Sequence, residues 1–432
     1  MSESVFLRLL GEDDQPEALR ASIEAVRQGR TDDDTVHAVD PSSFEQVPGS
    51  PFAYWVSERI RRLFTELPPF ESEGRTAKQG LATADDFRFV RAWWEVPPER
   101  ILDGANGPDW RQDLDAFQAW CRERTYQGKR WVPFAKGGAY SPYYADVYLV
   151  VNWENDGEEI KNRVNPETGK PYSNVWQLKR TEREYLFRPG LTWPLRTNGL
   201  SFRAMPAGSV FGHKGPSIFL ERDDYQELVN LLAIINSLGF FAFVQAMLAR
   251  VSLAQSFEVG LIQSTPITQF SHDDQTTINA QVAEAIRTKM AFASTNHQTH
   301  GFVLPALLQT QGPCPSERLE RFTREIGDSE QRLTAIEREI DEQTFELYGI
   351  PDRDRERLMT TLHGDQSALS EADSDADVGE NAEELQDIVD PVQPVHQLLS
   401  YSLGCSYGRW DIRFARAERE QPEYPDPFDP LP

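Results

Sequence analysis

The chain has 432 residues, 39% of them hydrophobic and 11% aromatic, enough for two or three domains with real cores and not a disordered polymer. Its three cysteines (Cys121, Cys314, Cys405) stand far apart with no CxxC pair, which excludes a disulfide framework and a thiolate zinc site and suits a reducing cytoplasm. A formal net charge of −25, with 36 Arg against 8 Lys, fits either a salt-adapted, halophilic source or an ordinary acidic cytoplasmic protein.

The opening MSESVFLRLLGEDD has no basic stretch and no long apolar run, so no signal peptide is predicted and the location expected is cytoplasmic. Residues 1–79 read as a small helical module, with candidates at Pro16–Gly29 and Tyr54–Phe64. Residues 80–268 read as mixed α/β. Val147–Trp153 (VYLVVNW) is a strand candidate closed by the turn signal Asn155-Asp156-Gly157, and Phe211–Phe219 reads as strand, turn, strand. The most apolar stretch, Leu228–Val251, is interrupted by Asn230, Asn236, Ser237 and Gln245. It predicts two buried helices joined at Asn236–Ser237 rather than a membrane span, and no membrane partner is expected.

Residues 269–364 read as a helical spacer. Leu319, Phe322, Ile326, Leu333, Ile336, Ile340 and Leu347 alternate at spacings of three and four, with Ser329 and Gln343 in the remaining seam positions. Ser316 is the expected N-cap, and Gly349–Pro351 ends the run. The pattern suits a coiled-coil spacer or a long surface helix. Its narrow seam asks for a second helix, from this chain or from a partner. His297 and His300 form an HxxH with no further ligand pattern, so no metal is expected there. Asp365–Asp390, with ten acidic and no basic residues, reads as a solvated disordered linker (365–390), and 391–432 as the start of a truncated C-terminal region. The expected fold class is α+β: a mixed α/β domain, a long helical coiled-coil-like spacer and a small helical N-terminal module.

Charge is unevenly distributed. Residues 121–220 carry 15 Lys+Arg against 9 Asp+Glu, a net of +6, which leaves −31 for the rest. Six of the eight lysines lie here, interleaved with aromatics. A positive island in a negative protein is the footprint expected where a polyanion such as double-stranded DNA docks. Residues at strand ends and glycine-rich turns are the candidates for contact: Lys129, Arg130, Lys136, Tyr140, Arg188, Arg196, Arg203, His213 and Lys214. Trp93, Trp94, Trp153 and Trp193 are expected in the core rather than on a stacking surface.

Methylation of an exocyclic base amine needs a glycine-rich turn for the sulfonium cofactor and an Asn/Asp-Pro-Pro-aromatic tetrapeptide for the flipped base. Neither occurs. Leu67-Pro-Pro-Phe70 lacks the accepting side chain, and Val96-Pro-Pro-Glu99 fails at both ends. No catalytic residue is therefore assigned. A different chemistry, a standalone metal-dependent nuclease, is the alternative raised by Asp146 followed by Glu159-Ile-Lys161, an acid plus Glu-x-Lys arrangement.

Asp40–Phe64, Gly80-Leu-Ala-Thr83, Arg88–Glu95, Trp131–Tyr144, Val151–Gly157, Phe187–Trp193, Gly199–Arg203, Val210–Gly215, Glu258–Gln263 and Tyr407–Arg413 follow one another in an order that resembles PglX-type adenine-specific DNA methyltransferases of BREX phage-exclusion systems, with type IIL/IIG restriction-modification enzymes as cousins. In that family a catalytic domain precedes these segments, and a target-recognition domain followed by a helical spacer carries them. The resemblance implies that 1–79 is the connector after a catalytic domain and that 80–268 recognises DNA. It implies that S-adenosylmethionine is held on a catalytic domain this chain lacks, with no cofactor bound here. A methyltransferase catalytic chain and other phage-defence proteins are the implied partners.

Overall fold

The computed structural model describes residues 3–9, 14–30, 35–172, 181, 184–197, 199–248, 256–356, 358 and 393–432. The acidic linker 365–390 lies outside the described residues, as do Trp176 and Lys179 of the basic island.

The fold is mixed α+β, built on three small sheets. Near the N-terminus β1 (Ser4–Leu7) pairs antiparallel with β2 (Val36–Val39), and the helix Gln15–Arg27 lies between them in sequence. The second sheet is antiparallel throughout, in the order β3 (Thr76–Lys78), β10 (Ser217–Phe219), β7 (Gly190–Thr192), β8 (Arg203–Met205). The third runs β4 (Val90–Ala92), β6 (Leu149–Asn152), β5 (Trp131–Ala135), β9 (Val210–Phe211), and its last pair is parallel.

The two strands of Phe211–Phe219 thus form no hairpin, because β9 and β10 belong to different sheets. Glycines make the corner between them. A Cβ at Gly212 would meet the Phe134 ring at 2.9 Å, and one at Gly215 would meet the Gly137 amide nitrogen at 2.6 Å. Only bare backbone packs that closely.

Within the run VYLVVNW, residues 149–152 form β6, and a left-handed turn follows with φ of 52°, 57° and 74° at Asn155, Asp156 and Gly157. The Trp153 indole donates to Asp156 Oδ1 (3.2 Å), and the Asp156 amide donates to Thr125 Oγ1 (2.8 Å). Trp153 and Trp193 are fully buried, whereas Trp93 and Trp94 are only half-buried. Trp93 stacks on His300 at 4.9 Å and Trp94 on Tyr148 at 6.1 Å, so these two flank a surface rather than fill the core.

The apolar stretch forms the helices Tyr225–Asn236 and Leu238–Met247, bent by 60° where Ser237 caps the second. The Asn236 carboxamide leaves the helix to bond both backbone groups of Phe202, at 2.8 and 2.9 Å. Among the described residues no single helix is long and apolar enough to cross a membrane.

The long helix spans Pro315–Tyr348, and Cys314 rather than Ser316 holds the cap position. Proline at the first helical position explains the shift, since its fixed φ suits that site and its missing N–H costs nothing there. Gly349, at φ 60°, closes the helix. Its seam is covered by its own chain. Ile336, Ile340, Phe345 and Tyr348 join the main core, and Phe322 and Ile326 pack with Ala306 in a smaller cluster. Arg332 reaches Glu284 of the helix His272–Ala293 at 2.8 Å. The residues Phe345 and Tyr348 widen the buried stripe beyond a coiled-coil seam. The same core takes in Phe428 near the C-terminus, whose carbonyl accepts from the Ala207 amide at 2.9 Å.

Candidate nucleic-acid interface

Two glycine-bearing turns lie side by side because β5 and β9 are parallel neighbours. One is Lys136–Tyr140, leaving β5, with Gly137 and Gly138 at φ 100° and 121°. The other is Gly212–Gly215, leaving β9. A Cβ at Gly137 would sit 2.6 Å from the Lys214 carbonyl, so the two backbones touch there. A third segment joins them, because the Leu195 amide donates to that same carbonyl at 3.0 Å. Arg196 and Lys214 therefore stand close together on adjoining segments. Both are exposed, and neither has a carboxylate within ion-pairing distance among the described residues.

The other sequence-predicted residues are held more tightly. Arg203 is only 6% exposed and donates to the backbone carbonyls of Gly137 and Ala139, the latter at 3.2 Å. Burial pulls its guanidinium down to about 10. It braces the first turn from beneath instead of facing solvent. Lys136 pairs with Asp86, which also accepts from Thr83 and lies in the field of Lys214. Burial raises the Asp86 carboxyl, but these partners outweigh it and leave the pKa below the usual range. Lys129 pairs with Asp103 at 3.3 Å, and Arg130 with Glu154 at 3.7 Å.

Arg188 pairs with the fully buried Asp223 carboxylate at 2.5 Å and donates to the Leu220 carbonyl at 2.7 Å. Burial pushes Asp223 up to about 6 against the pull of Arg188 and the Leu220 amide. The His213 ring meets the Gln79 carboxamide. Tyr140 is 47% exposed at the tip of the first turn. The geometry brings Lys136, Tyr140, Arg196, His213 and Lys214 to one rim. It sets Lys129, Arg130 and Arg188 in ion pairs of their own and Arg203 underneath.

The residues of the nuclease alternative do not converge. Asp146 is engaged by His300 Nδ1 at 3.0 Å, Lys161 by Asp156 at 2.9 Å, and Glu159 by Arg88. Among the described residues no three His, Cys, Asp or Glu side chains are grouped to hold a metal ion. His297 stands apart from His300 in a nest with Phe302 and Trp410, where burial and Arg409 lower its pKa.

Sequence reasoning passed over Phe87, which is 89% exposed beside Asp86. A signal was present, because Phe87 and Phe89 are two residues apart on one helical turn and cannot share a face.

What the fold and this rim define is a mixed α+β protein with a cationic edge made of glycine-rich turns. No family model matches the chain. It is 25% identical over 410 residues to the adenine-specific methyltransferase PglX of Lacticaseibacillus casei (strain Zhang), a match that covers 94% of this chain and 30% of that protein. It is also 25% identical over 377 residues to the adenine-specific methyltransferase BrxX of Escherichia coli O9:H4 (strain HS), covering 86% of this chain and 27% of that protein. Across most of its length the chain is similar to these two adenine-specific methyltransferases, and it spans less than a third of the length of the curated relatives it matches.

Proposed function

We propose that this chain is the DNA sequence-recognition part of an adenine-N6 methyltransferase of a phage-defence system, of BREX or restriction-modification type. It would be inactive without a separate catalytic chain. One observation carries the reading. Nearly the whole chain matches less than a third of two adenine-specific methyltransferases, yet it holds neither a cofactor turn nor an Asn/Asp-Pro-Pro-aromatic motif. On this reading those two elements lie outside the matched part, and S-adenosylmethionine would be held on the catalytic chain.

The rim supports the DNA half of the reading. Arg196 and Lys214 supply charge for phosphates, and the bare backbone at Gly137 and Gly138 lets a duplex approach closely. Base edges would be read by side chains such as Tyr140 and His213 from the same turns. Arg203 holds the first turn in place for that approach.

Two measurements test the proposal. The purified chain should incorporate no radiolabelled methyl group into DNA from S-adenosylmethionine. It should bind duplex DNA with a log–log salt slope of about −0.9 per phosphate contact. An Arg196→Glu/Lys214→Glu variant that binds as tightly as the parent would overturn the rim as the binding face. Methyl incorporation well above a no-enzyme blank would overturn the recognition-only role.

A further inference from the structure

We propose that Phe87 is an apolar wedge that inserts between base steps of the bound duplex. The inference rests on the DNA-recognition reading above and adds to it a mode of engagement. Phe87 has the highest exposure of any large hydrophobic side chain among the described residues. A single exposed aromatic is ordinary on a protein surface. What distinguishes this one is how it is mounted and what surrounds it.

Its helical turn, Asp86–Phe89, is anchored from four directions. Phe89 is fully buried and fixes the rotation of the turn, which drives Phe87 outward. The Asp85 side chain accepts from the Arg88 amide at 3.1 Å and caps the turn. Arg163 clamps the approach to it, reaching the Thr83 carbonyl and the Asp85 carboxylate, each at 3.1 Å. Arg91 donates back to the carbonyls of Phe87 at 2.5 Å and Val90 at 2.6 Å. The ring therefore projects from a braced position, which lowers the entropy lost on insertion.

One cation lies beside the ring and others adjoin its helical turn. The Arg91 guanidinium lies 5.6 Å from its centroid and has no ion-pair partner among the described residues. Arg88 follows directly in sequence and pairs with Glu159 on the surface. The Asp86 carboxylate, one residue before, is the contact that joins this turn to Lys136 and places it in the field of Lys214. The wedge thus adjoins the same rim that offers Arg196 and Lys214. A planar apolar ring with an unpaired arginine beside it, next to a cationic rim, is a combination by which proteins part stacked bases and bend a duplex. A protein partner would find at this place a lone ring in a charged surround, without the apolar core an interface needs.

The test uses the full chain and short duplexes of randomised sequence in which 2-aminopurine replaces adenine, since its fluorescence rises when stacking is lost. Binding of the parent should raise the fluorescence. Phe87→Ala should bind about tenfold more weakly, the scale of one aromatic–base stack, and should abolish the rise. Phe87→Trp should keep both. Because the side chain is exposed, circular dichroism and urea midpoints of both variants should match the parent. A Phe87→Ala variant with unchanged affinity and an unchanged fluorescence rise overturns the wedge and leaves the recognition reading standing. A variant that binds more weakly but keeps the rise also overturns it, assigning Phe87 to a surface contact. A parent that binds no duplex overturns both.

Discussion

Replacing Arg203 by Met should destabilise the protein without removing a phosphate contact, and the two effects can be measured separately. The guanidinium is almost wholly buried, has no carboxylate partner among the described residues, and donates to the carbonyls of Gly137 and Ala139. The Gly138 backbone lies directly over it, so close that a Cβ there would sit 3.3 Å from Nη2. Hydrogen bonds from a charged donor contribute roughly 1.5–3 kcal/mol each. Methionine recovers part of this by removing the cost of burying a cation. A net loss of about 2–4 kcal/mol follows, a large share of the ~5–15 kcal/mol that a folded domain commands. With a urea slope of roughly 3 kcal/mol per molar, the midpoint should fall by about 1 M. The salt dependence of duplex binding by the folded variant should keep the parent's slope, because no phosphate-bound cation is lost. Lys214→Gln should do the reverse, leaving the midpoint unchanged and flattening the slope by about 0.9. An unchanged midpoint for Arg203→Met together with a flatter slope would refute the bracing role and turn Arg203 outward.

Three further outcomes follow from the packing and the buried acids. Burial holds the Asp341 carboxyl up at about 7, against the Leu238 amide that donates to it at 2.7 Å. The native state thus keeps a proton that the unfolded chain surrenders near pH ~3.9. Its contribution is full below that pH and is lost as pH rises through about 7, on the order of 4 kcal/mol, and Asp341→Asn should flatten urea midpoints across that window. Ile336→Ala empties a fully buried position in the long helix and should cost about 2–5 kcal/mol by denaturant titration, with the sheets that carry the cationic rim losing stability at the same midpoint because they share that core. Gly157→Ala forces a side chain into positive φ and within 2.7 Å of the Trp153 ring, so it should cost more than about 1 kcal/mol and perturb Trp153 fluorescence, whereas Gly128→Ala, with no atom near, should cost only the backbone strain.

How much of this was legible in the sequence depends on the reach of each interaction. The bend between the two apolar helices shows in Ser237 because that residue caps locally, whereas the bonds of Asn236 to Phe202 were hidden; the Asn155-Asp156-Gly157 turn shows because its φ preferences belong to those residues alone. The long helix was visible in its heptads, but what covers its seam was not, since Phe243, Ile278 and Ile286 lie far away in the chain. The division of β9 and β10 between two sheets was equally hidden. It depends on β5 offering a parallel edge to one and β3 and β7 offering antiparallel edges to the other.

The basic island is the instructive case. A window of sequence counts charges that are neighbours in the chain, but fields are set by neighbours in space. Folding brings Asp86 to Lys136 across 50 residues and Asp223 to Arg188 across 35, and it spends Arg203 on carbonyls 64 and 66 residues away. Much of the window's surplus is thereby neutralised or buried, and Arg196 and Lys214 stand together because one carbonyl joins their segments. Two exposed cations give modest phosphate affinity. A duplex held at this rim would then depend on close approach to the Gly137–Gly138 backbone and on the ring of Phe87. Both are contacts that a count of charges cannot register.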